Sequence, residues 1–278
     1  MDFYAKNGNI ILKQTDFDLA QTLDCGQSFR WQNCGDSWQG YFLNRYLKIS
    51  QNGDIFTFFD TNEADFLDIW ADYFDLFTDY GALKLRFSDE CPVLKAACKS
   101  CGGIRILRQD FWEMLVSFIF SQQNNIPRIK KIINSLCDVF GKFPDAQSIC
   151  DVGIDALAPL KSGFRAKYII DAAQAVASGK IDADTLKNAD YETAKKSLMQ
   201  IKGVGPKVAN CVLLFGLYKV EAFPVDVWIR RILDEHYPDG FPQSLADVGG
   251  IAQQYLFHHF RTGGGRTLAA EHFRISVD

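Results

Sequence analysis

A lysine and an aspartate in the second half of the chain are the side chains best suited to chemistry. Lys207 follows the turn sequence Gly203-Val204-Gly205-Pro206, and Asp226 ends the segment Phe223-Pro224-Val225-Asp226. The apolar run after Lys207 favours a neutral amine, because desolvation disfavours the charged form, and a neutral amine is a nucleophile. Asp226 precedes an apparent helix whose N–H groups would keep the carboxylate ionised. The pair is therefore suited to nucleophilic catalysis.

Two helices joined by a hairpin are predicted to position these groups. Apolar residues recur at helical spacing before the glycines, and again from Pro206 to about Tyr218. Glycines permit backbone angles that other residues resist, and proline is favoured at the first position of a helix. N–H groups at such a helix start bind phosphate without a basic side chain. Taken alone, however, Gly-x-Gly is explained equally well as a turn between packed helices, and Asp226 as a structural N-cap.

The hairpin, the lysine and the aspartate together resemble the helix–hairpin–helix DNA glycosylases of the Gly/Pro–Asp superfamily. The residues that carry this resemblance are Leu198, Ile201, Gly203, Val204, Gly205, Lys207, Val208, Ala209, Pro224, Val225 and Asp226. The lysine is similar to that of the bifunctional members, which cleave the glycosidic bond and then nick the strand. The resemblance implies catalytic roles for Lys207 and Asp226, and it implies that the hairpin residues Gly203, Val204 and Gly205 contact DNA.

A second motif lies near the N-terminus, in the segment Cys25-Gly26-Gln27-Ser28-Phe29-Arg30-Trp31. It resembles the GQSFRW segment of the 8-oxoguanine DNA glycosylases. In that family the glycine carbonyl accepts a hydrogen bond from N7–H of the damaged base, which implies the same role for Gly26. Unmodified guanine has a bare N7 acceptor, so a fixed carbonyl would attract one base and repel the other. By itself the segment is more typical of a β-turn glycine before a strand.

The same resemblance implies further contacts with the base and with DNA. For the base, a cysteine would lie against it, an amide would bond its edge and a phenylalanine would stack on it: Cys211, Gln253 and Phe257. For DNA, the implied residues are an amide-rich turn, the arginine after it and an aromatic wedge with its arginine: Gln123, Asn124, Asn125, Arg128, Phe164 and Arg165. Structural alternatives are a buried inert cysteine, amides that satisfy buried backbone groups, and a core phenylalanine beside a surface arginine. Gln123 stands where the family has asparagine, which leaves the preferred opposite base open.

The pattern along the chain predicts an α+β protein. Residues 1–98 are predicted to form an antiparallel β-sheet domain with flanking helices, and residues 99–262 an all-helical helix–hairpin–helix glycosylase domain with the hairpin at 198–218. Residues 263–278 are predicted to be a disordered or vector-derived tail. The predicted strands are Asn9–Lys13, Ser28–Trp31, Trp38–Phe42, Arg45–Ser50 and Ile55–Phe59, and Phe111–Phe120 is predicted to be a buried helix. The Asn52-Gly53 turn predicts a hairpin between the last two strands, and Phe56, Phe58 and Phe59 are expected to pack in one core on the sheet.

Charge and cysteine content limit the partners. The formal net charge of −4 disfavours a broad basic surface, so DNA contact should be local. Eight cysteines without a signal peptide predict reduced thiols in an intracellular protein that acts with the chromosome, in the cytoplasm of a prokaryote or the nucleus of a eukaryote. We expect a monomer, no membrane contact and double-stranded DNA containing 8-oxoguanine as the partner.

Cofactors and alternative functions follow from the same residues. Iron–sulfur relatives carry four cysteines after the catalytic aspartate, and no cysteine follows Cys211 here, so no cluster and no cofactor are expected. A monovalent or divalent cation at the hairpin carbonyls is possible. Two other functions stay open: a non-catalytic DNA-binding module, and a glycosylase for another damaged purine, such as an alkylated one.

Overall fold

The strands form one antiparallel sheet in the N-terminal part of the chain. The computed structural model describes residues 1–263, and within them the sheet has six strands in the order β1-β2-β6-β5-β4-β3. Its strands are β1 (Asp2–Lys6), β2 (Asn9–Lys13), β3 (Gln32–Asn33), β4 (Trp38–Phe42), β5 (Arg45–Asn52) and β6 (Ile55–Phe58). The predicted hairpin between β5 and β6 is confirmed, because Asn52 pairs with Ile55 around Gly53, whose φ is +58°.

Helices make up most of the remaining structure. They are α1 (Leu19–Leu23), α2 (Glu63–Asp65), α3 (Ala71–Tyr73), α4 (Tyr80–Glu90), α5 (Pro92–Ser100), α6 (Phe111–Phe120), α7 (Ile126–Phe140), α8 (Ala146–Val152), α9 (Arg165–Ala177), α10 (Ala183–Asn188), α11 (Tyr191–Leu198), α12 (Pro206–Gly216), α13 (Val227–His236) and α14 (Gly249–Arg261). A π-helical turn, Phe66–Trp70, joins α2 to α3, and 3₁₀ turns cover Ile154–Leu160 and Gln243–Val248. None of the helices in residues 1–263 is long and apolar enough to cross a membrane.

One face of the sheet packs on aromatic residues of the segment that follows it. Alternation along β6 points Phe56 and Phe58 inward, where both are fully buried. Phe58 contacts Phe66 and Phe74 with ring centroids 5.0 and 5.8 Å apart. Phe59 was predicted to share this core, and that prediction is wrong: the period of two turns Phe59 away, and its ring lies 4.8 Å from the amine of Lys48.

The strand predicted at Ser28–Trp31 is also wrong, since the chain there is a loop and the short strand β3 begins at Gln32. Trp31 is turned inward instead of pairing. Its Nε1 donates to the hydroxyl of Tyr73 at 2.6 Å, and its ring occupies the space above Gly40, where a Cβ would lie 2.4 Å away. The edge strand β1 was not predicted, because its side chains are largely exposed and show no inside–outside alternation.

The helical core is built around α6, which is buried along its whole length, as predicted. It packs against α12, the helix that carries Lys207, and the rings of Phe118 and Phe215 stack there at 5.5 Å. This contact fixes α12 relative to the end of α6. The predicted helices on both sides of the hairpin are confirmed as α11 and α12, and α12 ends two residues before the predicted Tyr218.

A buried ionic network joins the sheet layer to the helical core. The Asp75 carboxylate is fully buried and accepts hydrogen bonds from Tyr80, Arg108 and Tyr218. Buried carboxylates need such donors, because an unpaired buried charge costs several kcal/mol. The predicted domain boundary at residue 98 falls inside α5 and stays a prediction. Apart from residue 263, the predicted tail lies outside the described residues.

Candidate active site

An open cavity of about 760 Å³ lies where the helical core meets the Gly26 loop. Its walls include Gly26, Lys207, Asp226 and Phe257. These residues come from a loop, the first turn of α12, the start of α13 and the middle of α14, respectively. The fold therefore brings together residues of three helices and a loop that are far apart in the sequence.

The hairpin before α12 holds Lys207 at the cavity. Gly203 has a φ of +84°, and a Cβ there would lie 2.3 Å from the ring of Tyr168, so both conformation and space require glycine. Val204 is buried and anchors the turn. Gly205 is the N-cap of α12 with an extended backbone, and the space around it is open.

The amine of Lys207 points toward the end of α6. It donates to the hydroxyl of Ser121 at 3.3 Å and lies 5.1 Å from the centroid of the Phe118 ring. One face of the amine is thus covered by an aromatic ring, while the cavity lies beside it. This half-buried setting holds the nitrogen at the cavity wall and leaves it accessible to a ligand.

Asp226 caps α13, as predicted from its position. Its Oδ1 accepts a hydrogen bond from the backbone N–H of Ile229 at 2.8 Å, while Oδ2 accepts none from any residue in 1–263. The preceding segment is fixed by Asn210, which donates to the carbonyl of Phe223 at 2.8 Å. One carboxylate oxygen is therefore held by the helix, and the other is available to the cavity.

Cys211 lies one turn along α12 from Lys207 and is buried. Burial raises the pKa of the Cys211 thiol; the ammonium of Lys207 opposes this shift, and Asp226 adds to it. Because Lys207 and Cys211 are four residues apart on α12, they lie on the same face of this helix. The raised pKa makes the neutral thiol, rather than a thiolate paired with Lys207, the form present at pH 7.

Gly26 also lines the cavity. Its φ is +88°, and a Cβ there would lie 3.1 Å from Cδ1 of Ile126 and 3.7 Å from the ring of Phe257. Any larger residue would be strained in conformation and would narrow the space beside Phe257. The backbone of Gly26 can therefore approach a flat ligand that stacks on Phe257.

Gln253 lies one turn before Phe257 on α14. Its side chain is 4% exposed, and its Oε1 has no hydrogen-bond partner within the described part of the chain. A buried acceptor without a donor costs about 1–3 kcal/mol. A ligand that supplies an N–H group would remove that cost, so this atom favours a ligand with donors on its edge.

The amide-rich turn lines the same cavity at its mouth. Gln123 is exposed with a φ of +47°. Asn124 donates to the carbonyl of Phe120 at 3.0 Å, and Asn125 caps α7 by accepting from the backbone N–H of Arg128 at 3.0 Å. Both asparagines thus shape the turn, and the exposed side chain of Arg128 extends from the helix that the turn starts.

The predicted wedge pair divides into one exposed and one buried side chain. Phe164 is 46% exposed at the start of α9, whereas Arg165 is only 5% exposed. The guanidinium of Arg165 donates to the carbonyls of Ser162, Gln122 and Gln123. Arg165 therefore stabilises the amide-rich turn through hydrogen bonds to its carbonyls. Direct contact of Arg165 with DNA stays a prediction.

Comparison with known proteins agrees with this geometry. The family described as the 8-oxoguanine DNA glycosylase N-terminal domain matches residues 9–115, and the HhH-GPD superfamily of base excision DNA repair proteins matches residues 116–240. The N-glycosylase/DNA lyase of Saccharomyces cerevisiae is 35% identical over an alignment 276 residues long. The alignment covers 84% of this chain and 71% of the yeast protein. The chain belongs to the N-glycosylase/DNA lyase family.

Solved structures support the fold of this N-glycosylase/DNA lyase. The 8-oxoguanine glycosylase/lyase of Clostridium acetobutylicum, bound to DNA with cytosine opposite 8-oxoG, is 31% identical with a TM-score of 0.88, covering 95% of this chain and 99% of that one. A structure of MBOgg1 with a low-affinity DNA ligand is 41% identical, again with a TM-score of 0.88 and the same coverage. The predicted α+β architecture and enzyme class are confirmed.

Three residues of the N-glycosylase/DNA lyase site were not assigned a role from the sequence. Ser121 holds the Lys207 amine, Trp228 lines the cavity two residues after Asp226, and Arg261 donates to the carbonyl of Asp24 at 2.8 Å. Trp228 is 47% exposed in the first turn of α13, and a tryptophan on the polar side of an amphipathic helix was the available signal. The other two roles depend on contacts between distant segments, which spacing along the chain does not reveal.

Proposed function

We propose that this protein removes 8-oxoguanine from duplex DNA and then cuts the strand at the resulting abasic site. The observation that carries the proposal is the placement of Lys207 and Asp226 on the walls of the cavity that also contains Gly26 and Phe257. A nucleophile, a carboxylate and a base-sized slot are the parts that excision of a base requires. The activity of the Clostridium relative, named as an 8-oxoguanine glycosylase/lyase, supports the same conclusion.

Recognition requires that the damaged nucleotide leave the helix, because its glycosidic carbon is inaccessible inside the duplex. Flipping costs a few kcal/mol. The base would then stack on Phe257, and the Gly26 carbonyl would accept a hydrogen bond from its N7–H. Its edge would supply a donor to the orphaned Oε1 of Gln253, while Cys211 would lie against the base as a neutral thiol.

The DNA on either side is held mainly by backbone groups and a few side chains. The N–H groups at Gly203, Val204 and Gly205 are placed to bind a phosphate at the start of α12. The amide-rich turn would enter the space left by the flipped base, Arg128 would contact the orphaned cytosine, and Phe164 would act as an apolar wedge that unstacks a base step. Local contacts of this kind agree with a chain whose formal net charge is −4.

Bond cleavage follows from the two catalytic groups. The neutral amine of Lys207 attacks C1′, the glycosidic bond breaks, and the base leaves with the bonding electrons and takes up a proton. The free oxygen of Asp226 stabilises the positive charge that develops on the sugar. The covalent adduct becomes a Schiff base, loss of a C2′ proton expels the 3′ phosphate, and water finally releases the lysine.

The remaining predictions extend this proposal. We infer that the protein acts as a monomer on chromosomal DNA, in the cytoplasm if the source is prokaryotic and in the nucleus if it is eukaryotic. It would need no cofactor or iron–sulfur cluster, and a monovalent or divalent cation would be held by the hairpin carbonyls.

A single-turnover assay on four duplexes tests the proposal. They contain 8-oxoguanine opposite cytosine, undamaged guanine, an alkylated adenine, or a preformed abasic site. We expect release of 8-oxoguanine with a nick at the same position, cleavage of the abasic duplex and no product from the other two. Tight binding without product would support a non-catalytic DNA-binding module instead. Release of the alkylated base alone would show that the substrate is an alkylated purine and not 8-oxoguanine.

A further inference from the structure

The carbonyls around Gly26 are held by side chains from distant segments. The Cys25 carbonyl accepts a hydrogen bond from Nε2 of Gln254 at 3.0 Å, and the Gln27 carbonyl accepts one from Nε2 of Gln109 at 2.8 Å. Gln254 is 3% exposed and Gln109 is 9% exposed, so neither bond competes with bulk water. The carbonyls of the residues just before and just after Gly26 are thus fixed by side chains of two different segments, and the Gly26–Gln27 peptide lies between these two anchored groups.

The next bonds outward make the same segment rigid. Gln27 donates to the carbonyls of Thr22 and Arg105 at 2.9 and 2.7 Å, and its Oε1 accepts from the N–H of Leu107 at 2.9 Å. By contrast, the carbonyl of Gly26 accepts no hydrogen bond from any residue in 1–263. It is the acceptor that the turn leaves for a ligand, while its neighbours on both sides are occupied.

Rigidity matters here because glycine is the residue that can rotate most freely. The peptide groups around Gly26 could turn at little steric cost, and a carbonyl that rotates could accommodate a bare N7 acceptor as readily as an N7–H donor. A carbonyl held in one orientation leaves the wrong base unpaired, which is the condition for strong discrimination. The two glutamines supply that restraint from α14 and from the segment before α6.

We propose that Gln254 and Gln109 are positioning residues that determine lesion specificity by fixing the orientation of the Gly26 carbonyl. This inference rests on the proposed function, because it presumes that Gly26 faces the excised base. Neither side chain lines the cavity that contains Lys207 and Asp226, so both act through the Gly26 turn and not on the reacting atoms.

The test compares two activities of the same protein. Excision of 8-oxoguanine requires recognition of the base, whereas cleavage at a preformed abasic site uses the catalytic lysine with no base present. The ratio of the two single-turnover rates is independent of the fraction of folded protein, so partial loss of folding leaves it unchanged. The variants are Gln254→Met and Gln109→Met, which nearly preserve volume and remove the donor.

We expect each variant to lower the excision rate about 10-fold, the factor that corresponds to the loss of roughly one hydrogen bond, and to leave abasic-site cleavage within about twofold of wild type. The matched control is Gln51→Met. The side-chain amide of Gln51 also donates a hydrogen bond to a backbone carbonyl, that of Phe17, but Gln51 lies in β5 and does not line the cavity. It should leave the ratio unchanged.

Two results would overturn the inference. Equal loss of both activities would make the glutamines structural only, and wild-type rates of both activities in both variants would show that Gly26 needs no restraint. If one variant does not fold, the other tests the same claim from a different segment of the chain. Failure of the proposed function is distinguishable, because the wild-type protein would then cleave the abasic duplex without releasing 8-oxoguanine.

Discussion

The substitution Gly203→Ala is predicted to destabilise the hairpin that carries Lys207. Position 203 has a φ of +84°, and alanine in the left-handed region costs about 1–2 kcal/mol. Its Cβ would also lie 2.3 Å from the Tyr168 ring, and overpacking of this kind costs about 1–3 kcal/mol. The sum, about 2–5 kcal/mol, corresponds to a fall in Tm of about 4–10 °C for a chain of this size.

Thermal unfolding followed by circular dichroism measures this effect, and Gly205→Ser is the matched control. Gly205 has a φ of −93° in open space at an N-cap position that prefers serine, so the Tm of that variant should fall by no more than about 1 °C. In the double variant Gly203→Ala with Tyr168→Ala, the alanine at position 203 no longer clashes with the Tyr168 ring. This variant should therefore regain the stability lost to the clash but not the stability lost to the positive φ. Equal Tm values for the two glycine variants would refute the reasoning.

Three further predictions concern the surroundings of the site. Arg165→Met removes the donor to the carbonyls of Gln122 and Gln123, so the affinity for duplex DNA in a filter-binding titration should fall about 10-fold. An unchanged affinity would contradict the conclusion that Arg165 holds the amide-rich turn in place. Phe164→Ala changes an exposed side chain, so the free energy of unfolding in urea should change by less than about 0.5 kcal/mol while single-turnover excision falls at least about 10-fold. Burial raises the pKa of the Glu113 carboxyl to about 7, so the stability that this group contributes is present below its unfolded pKa and is lost as pH rises through about 7. In the wild type, the free energy of unfolding in urea should therefore fall between pH 5 and pH 8, and in Glu113→Gln this fall should be smaller by the contribution of Glu113. The same pH dependence in both proteins would contradict the raised pKa of Glu113.

The elements whose signals are local could be predicted from the sequence. The Asn-Gly turn at residues 52–53 predicted the β5–β6 hairpin, and the apolar run at 111–120 predicted α6. Asp226 was placed correctly as an N-cap, because a carboxylate before an amphipathic helix is a local signal. The hairpin glycines were also informative, since Gly203 combines an unusual φ with close packing.

What the sequence could not provide depends on contacts between distant segments. Ser28–Trp31 has the composition of a strand, yet tertiary packing of Trp31 on Gly40 and Tyr73 overrides that preference. Contact of Arg165 with DNA stays a prediction, but the sequence did not reveal that its guanidinium donates to the carbonyls of Gln122 and Gln123, 43 and 42 residues earlier. The role of Gln254 depends on a bond to a residue 229 positions earlier, for which the chain offers no local pattern.

Covalent trapping tests the central claim most directly. Borohydride reduces a Schiff base, so wild-type protein incubated with a duplex that contains 8-oxoguanine opposite cytosine should form a stable protein–DNA adduct. Lys202→Gln, which alters an exposed lysine of the same hairpin, should retain trapping, whereas Lys207→Gln should abolish it and still bind the damaged duplex. Full trapping in Lys207→Gln would contradict the assignment of the nucleophile and with it the proposed mechanism.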